Sequence, residues 1–238
     1  MPVHVFYQKS LPMLGEQFEA EEHAHIRVLR LRDGEEATFL NGAGAVVHAR
    51  LCSSKEQVWA VVSRREMPEP PMQGLLLPLL KGSKLDWVVE KSVELGTTHL
   101  GLFPAERSQE RQPKWERLHH LLVAAMKQSG AVYLPKIEFL PALSEWTAWP
   151  WGLQQVYFGS LLPDAQPISK LQVRSPWGWS SGPEGGWSDA EEVHLRELGA
   201  TPVRLHGLIL RAETAAICGL GCLSAFQEEA PHKPSRPE

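Results

Sequence analysis

Two segments in the second half of the chain combine residue types and spacings that could do chemistry. The first is Ser180-Ser181-Gly182-Pro183-Glu184-Gly185-Gly186-Trp187-Ser188, between an expected strand and a capped helix. Its glycines let the chain turn tightly and let backbone amides approach a ligand closely. That position, beyond the carboxyl end of a strand, is where open α/β folds hold ligands. A plain Gly/Pro connecting turn fits the same composition. No Lys-Ser/Thr follows, so it is not a Walker loop, and it is not GxGxxG. The second segment is Leu205-His206-Gly207-Leu208-Ile209-Leu210-Arg211-Ala212-Glu213-Thr214-Ala215, where an apolar strand end meets an Arg and a Glu at the mouth of a helix. Arg211 could clamp an anion or a base edge with Glu213 orienting it; a surface ion pair at a helix start is the plainer possibility.

A third group spaces Lys81, Lys84, Lys91 and Glu94 along one helix, with Glu106-Arg107 after the next strand and Gln128-Ser129-Gly130 further on. Cations so spaced beside a cleft could receive phosphates, although a solvated helix face explains them as well.

The elements that must position these residues fall into two textures. Up to about Glu66, short alternating strands over 3–7, 36–40, 45–49 and 58–62 are separated by Asp33-Gly34 and Asn41-Gly42, dipeptides that favour positive-φ hairpin turns. This half predicts a small β-barrel, with a short helix over 20–30 and a Pro-rich linker over 67–71. Beyond Gly74, strands alternate with helices, as in a mainly parallel sheet covered by helices. The expected strands are 75–80, 99–103, 137–140, 156–158 and 203–205. Ser83 with Asp86 resembles a capping box before a helix closed by Gly96; Trp115, Leu118, Leu122, Ala125 and Met126 stripe a helix closed by Gly130. Ser188 with Glu191 opens another helix ending near Gly199, and a last one is expected over 213–226. The expected domains are therefore 1–70 and 72–228, with a polar, disordered tail over 229–238.

A chain of 238 residues, 43% hydrophobic and 22% charged, has the balance of a globular protein. No apolar run reaches the roughly 18 residues a membrane helix needs, and the first residues lack a signal-peptide pattern, so no membrane partner and a cytoplasmic location are expected. A net charge of -4 disfavours a general nucleic-acid binder but leaves room for a local basic patch. Cys52, Cys218 and Cys222 lack CxxC spacing; the last two are expected to be buried packing. The ten histidines lack HExxH-like partners, so no metal is expected and solvated positions are the default.

In this order, HIRVLRLRDGE (25–35), KGSKLDWVVEKSVELG (81–96), ERS (106–108), AAMKQSG (124–130), SGPEGGWS (181–188) and LILRAETAA (208–216) resemble the SPOUT-class methyltransferase family that modifies N3 of a uridine in 16S ribosomal RNA. The likeness spans nearly the whole chain. It implies an α/β fold in which a C-terminal trefoil-knotted methyltransferase domain follows a small N-terminal PUA-like β-barrel. It implies S-adenosyl-L-methionine as cofactor, held by Phe158, Gly159, Ser181, Gly182, Pro183, Glu184, Gly185, Gly186, Leu205, Gly207, Leu210 and Thr214. It assigns Arg211 and Glu213 to catalysis, and Arg27, Arg30, Lys81, Lys91 and Arg107 to RNA. The implied partners are 16S RNA in the small ribosomal subunit and a second copy of the chain. Uridine N3 carries a proton on its pairing edge, so the base must be unpaired, deprotonated and aligned with the methyl donor. Arg211 is expected to stabilise the resulting anion; Glu94, Glu184 and Glu213 are the carboxylates that could take the proton. Three positions depart from the family pattern: Ala131 and Leu208 stand where an arginine is common, and Lys127 where an acidic residue is usual. The Trp-rich connection 146–151 is also unusual. Two other readings fit the motifs, a non-catalytic RNA-binding homologue and a knotted methyltransferase acting on another RNA site.

Overall fold

The computed structural model describes residues 4–108 and 112–227, so the expected tail over 229–238 lies outside the described residues. The chain forms two compact units, Met1–Pro70 with Trp115–Pro135, and Pro71–Lys114 with Lys136–Glu238.

The first unit holds a five-stranded sheet. Its strands are β1 (His4–Tyr7), β2 (Gln17–Glu19), β3 (Glu36–Leu40), β4 (Ala45–Ser53) and β5 (Val58–Glu66), in the order β1-β3-β4-β5-β2. β1 pairs parallel with β3 and the other ladders are antiparallel. Shifts of register at His48/Ala49 and Leu51/Ser53 mark irregularities of the kind that sharpen twist. The inner face buries Phe6, Phe39 and Trp59, with ring centroids 5.3 Å apart for Phe6 and Phe39 and 5.0 Å for Phe39 and Trp59. Helix α1 (His23–Leu29) is shorter than its sequence suggested and ends with Arg30 in the left-handed region at φ 54°. It buries Ile26 and leaves Arg27 and Arg30 exposed.

Helix α3 (Trp115–Ser129) belongs to this first unit, packing on β1, whereas the expected boundary near residue 71 had grouped it with the later strands. Its apolar stripe, Leu118, Leu122, Ala125 and Met126, is buried as the pattern predicted. Tyr133, just beyond it, donates its hydroxyl to the Met67 carbonyl at 2.6 Å.

Lys127 on α3 gives its ammonium to both oxygens of Glu22, at 2.9 and 2.7 Å, and the Tyr7 amide donates to the same carboxylate at 2.7 Å. Burial pushes the Glu22 carboxyl up, but the Lys127, Tyr7 and His25 hydrogen bonds outweigh it and hold the group below its ordinary value. A depressed folded-state value means that the stabilisation is present above the unfolded pKa of about 4.3 and is lost as pH falls through the folded one. Lys127→Met is expected to cost about 1 kcal/mol at pH 7, between an exposed and a buried pair. Urea unfolding of both proteins checks this: the difference shrinks as the pH is lowered from 7 towards 3, and a pH-independent difference contradicts it.

The second unit is a seven-stranded sheet with α-helices. Its strands are β6 (Gln73–Pro78), β7 (His99–Phe103), β8 (Lys136–Phe139), β9 (Gln155–Gly159), β10 (Gln166–Pro167), β11 (Trp177–Ser180) and β12 (Thr201–Arg204). The order is β10-β12-β9-β11-β6-β7-β8, and every ladder is parallel. The helices are α2 (Ser83–Glu94), α4 (Asp189–Glu197) and α5 (Ala212–Phe226). Parallel strands covered on both faces read as continuous apolar runs, and Leu75, Leu76 and Leu77 of β6 are fully buried.

The α4 start is the capping box expected: Ser188 Oγ accepts from the Glu191 amide at 3.2 Å and Glu191 Oε2 from the Ser188 amide at 3.0 Å. The α2 start is not. Gly82, at φ 55°, occupies the N-cap with no side-chain cap, so Ser83 lies inside the helix and Asp86 closes no box. Two further expectations fail. Cys218 is exposed and Cys222 half-buried, because α5 turns Ala216, Gly219, Leu220 and Leu223 inward instead. His99 is buried in β7 rather than solvated.

The Trp-rich connection packs its indoles against the core, with Trp146 buried and Trp149 and Trp151 half-buried. Trp146 packs on Phe103 with ring centroids 4.9 Å apart, Trp149 donates to the Leu198 carbonyl at 2.8 Å, and Trp151 to Glu138 Oε1 at 3.1 Å.

Candidate active site

Successive strands do not lie side by side around β9: β11 is on one flank and β12 on the other. Three segments therefore leave the carboxyl ends of adjacent parallel strands together, which is where such sheets open a crevice. They are Gly159–Leu161 after β9, Ser181–Trp187 after β11 and Leu205–Leu210 after β12. They surround a pocket of about 420 Å³ completed by Arg107, Glu192, Arg211, Ala212 and Ala215.

The glycine loop is held from several sides. Gly186, at φ 70°, allows a turn closed by its amide on the Pro183 carbonyl at 2.8 Å. A Cβ on Gly182 would sit 3.2 Å from the Trp187 nitrogen and 3.3 Å from Gly186 Cα, so a side chain there would crowd the backbone of its own loop. Arg107 Nη1 donates to the carbonyls of Gly185 at 3.1 Å and Trp187 at 2.9 Å. Trp187 Nε1 donates to the Gly159 carbonyl at 3.1 Å, tying this loop to the one after β9. Buried Glu191 also accepts from the Glu106 amide at 2.8 Å.

Of the residues named from sequence, Gly159, Ser181, Gly182, Pro183, Glu184, Gly185, Gly186, Leu205, Leu210 and Arg211 all line this pocket. Phe158 is wholly buried in the core, and neither it nor Gly207 nor Thr214 is among the lining residues. Arg211 is the exposed N-cap of α5, and its carbonyl accepts from the Ala215 amide at 2.8 Å. Glu213, in the first turn of α5, is expected in catalysis but is not among the lining residues; its buried Oε2 has no hydrogen bond and lies 3.6 Å from Lys84 Nζ. Arg107, expected on RNA, braces the glycine loop. Lys81 is exposed and gives its amide to Glu184 Oε1 at 3.0 Å. Lys91 bonds Glu90 at 2.7 Å and Glu94 at 2.8 Å, and these partners hold its ammonium above its usual value.

Sequence reasoning missed Glu192 and its pairing with Ser160. Ser160 donates to Glu192 Oε2 at 3.1 Å, and burial pushes the Glu192 carboxyl up. Nothing local marked the pair, which only the packing of α4 beside β9 brings together.

The pocket offers apolar walls (Leu161, Leu205, Leu210, Ala212, Ala215), close backbone at the glycines, an unpartnered buried hydroxyl at Ser181 and carboxylates at Glu184 and Glu192. Flat apolar rings, hydroxyls and positive charge on one ligand would each find a counterpart. Among the described residues, no group of three His, Cys, Asp or Glu side chains is placed to hold a metal ion.

Residues 68–224, which include every segment of this pocket, match the model of the RNA methyltransferase domain. The chain belongs to that family. This RNA methyltransferase is similar to Ribosomal RNA small subunit methyltransferase E of Synechocystis sp., at 29% identity over 226 residues, covering 88% of this chain and 72% of that protein. The Bacillus subtilis protein of the same name is 28% identical over 229 residues, covering 88% of each. A crystal structure of Ribosomal RNA small subunit methyltransferase E from Neisseria gonorrhoeae, bound to S-adenosyl methionine, superposes with a TM-score of 0.83. It is 25% identical, and the match covers 94% of this chain and 98% of that one.

Proposed function

We propose that this RNA methyltransferase transfers a methyl group from S-adenosyl-L-methionine to N3 of a specific uridine in 16S RNA of the small ribosomal subunit. One observation carries the reading: the glycine-lined pocket at the ends of β12, β9 and β11 stands in a chain that superposes, nearly end to end, on a small-subunit enzyme crystallised with that cofactor. The residues present fit it. Gly182, Gly185 and the Ser181 hydroxyl would receive its ribose, the leucine and alanine walls its adenine, and Glu192 its positive charge. Bound there, the cofactor supplies a methyl carbon on a sulfonium, an already activated leaving group.

The chain's own residues have two tasks. Arg211, at the mouth of the pocket, stabilises the negative charge that the uridine gains on losing its N3 proton. A carboxylate accepts that proton, and the geometry favours Glu184, which lines the pocket with one buried oxygen that has no hydrogen-bond partner. Glu94 is engaged by Lys91, Glu213 Oε2 faces Lys84, and neither is among the pocket-lining residues. Extruding the base from its stack exposes N3 to both groups.

The first unit serves as a PUA-like RNA-binding barrel, with exposed Arg27 on α1 and Arg30 at its C-cap supplying phosphate contacts. The chain between β9 and β12, which crosses to the sheet edge and returns to the other flank of β9, is read as the trefoil knot. Exposed Leu161, Leu208 and Ile209, which are 70%, 71% and 79% accessible, rim the pocket and support a homodimer that covers them. Leu208, in place of a family arginine, adds apolar surface there. No helix among the described residues is long and apolar enough to cross a membrane, and the cytoplasm is the compartment proposed.

The test is transfer of labelled methyl from S-adenosyl-L-methionine to small subunits that lack the modification. Label in 16S RNA is expected. Cofactor binding without any transfer points instead to a knotted enzyme for another RNA, and absence of both to an RNA-binding homologue without turnover.

A further inference from the structure

Lys84, in the first turn of α2, stands between two carboxylates carried by different segments that bound the pocket, Glu184 lining it and Glu213 behind the lining residues Arg211 and Ala212. Its Nζ lies 3.5 Å from Glu184 Oε1 and 3.6 Å from Glu213 Oε2. Glu184 rides on the glycine loop after β11; Glu213 is in the first turn of α5, two residues beyond Arg211. Both carboxylate side chains are only 15% accessible, while the lysine is 36% accessible. Glu184 Oε1 is also anchored by the Lys81 amide, so the start of α2 grips the glycine loop through two contacts.

An exposed lysine–glutamate pair contributes little, because water serves each partner as well as the other does. Here the carboxylates are largely out of water, and each keeps one oxygen without a hydrogen bond. Two desolvated like charges repel, and with no cation between them they separate. Separation would move the glycine loop and the Arg211 end of α5 apart, and these are the segments that define the pocket.

We propose that Lys84 is a positioning residue for methyl transfer: by neutralising Glu184 and Glu213 jointly, it holds the glycine loop and the start of α5 at the spacing the cofactor requires. Neither Lys84 nor Glu213 is among the pocket-lining residues, so the lysine acts through Glu184 on one side and, by way of Glu213, through Arg211 and Ala212 at the start of α5 on the other. This rests on the reading of the pocket as a site for S-adenosyl-L-methionine.

Three readouts on the purified full chain test it. Calorimetry with S-adenosyl-L-methionine is expected to show Kd at least tenfold higher for Lys84→Met and within about threefold of wild type for Lys84→Arg. In the transfer assay, KM for the cofactor is expected to rise in parallel, while kcat at saturating cofactor falls less. A double-mutant cycle of Lys84→Met with Glu184→Gln is expected to be non-additive in Kd, since the second change removes a charge that the first leaves unpaired. A purely structural lysine would lower the melting temperature of the cofactor-free protein while leaving Kd, measured where both proteins are folded, unchanged; that result overturns the proposal. Should Lys84→Met not fold, Lys84→Gln combined with Glu213→Gln takes its place, with cofactor binding restored towards wild type relative to Lys84→Gln alone, and no restoration counts against the proposal. Wild-type protein that does not bind the cofactor brings down the functional reading itself, whereas wild type that binds beside an equally competent Lys84→Met brings down only the role of Lys84.

Discussion

Arg211→Ala is expected to lower kcat for methyl transfer by about 10²- to 10³-fold, the loss seen when one preorganised donor to a developing negative charge is removed. The residue is the exposed N-cap of α5 and lines the pocket, and its side chain makes no capping hydrogen bond to the helix. Little of the fold depends on it, so the melting temperature and the cofactor Kd are expected to stay near wild type. Lysine at this position restores charge without the planar fork and is expected to recover only part of the rate. Steady-state kinetics beside a thermal melt checks both halves. Near wild-type turnover in Arg211→Ala removes the residue from catalysis, and a collapsed melting temperature would make its role structural.

The largest effect on stability is expected at Gly219. This glycine lets α5 lie against β11: a Cβ there would fall 2.1 Å from Trp179 Cε2 and 2.2 Å from Cζ2. Trp179 is fully buried and on a central strand, so its ring has no room to retreat. Gly219→Ala should therefore cost about 3 kcal/mol, at the upper end of overpacking penalties, despite alanine's better helix propensity. Since Arg211 and Glu213 sit at the start of the same helix, cofactor affinity is expected to fall with stability. Denaturant unfolding gives the measurement; a variant as stable as wild type would mean that α5 lies further from the sheet than described.

How much of this was legible beforehand depended on how local each signal was. The Ser188/Glu191 capping box and the glycine loop before it were readable because each is complete within a few residues. The same pattern misled at Ser83/Asp86, where Gly82 takes up the cap and leaves the serine inside the helix. β2 and β10, of three and two residues, were too short for alternation to show. The stripe on α3 announced a buried face but not which sheet would cover it, so its position in the chain grouped it with the later strands although it packs in the first unit. The α5 sequence is apolar nearly all round, which hid that Cys218 faces outward. Within the site, the motifs named the loops, and the lining of the pocket follows them except at Phe158, Gly207, Glu213 and Thr214. What the sequence could not show were pairings between distant segments: Arg107 on the glycine loop, Ser160 with Glu192, and Lys84 between Glu184 and Glu213.

The measurement that bears most directly on the central claim is mass mapping of 16S RNA from a strain lacking this gene, before and after its small subunits are incubated with the purified chain and S-adenosyl-L-methionine. A single uridine is expected to gain one methyl group that blocks its pairing edge, and to gain none with Arg211→Ala. An RNA already fully methylated in the deletion strain, or a new methyl on a ribose or on any atom other than N3, would contradict the account.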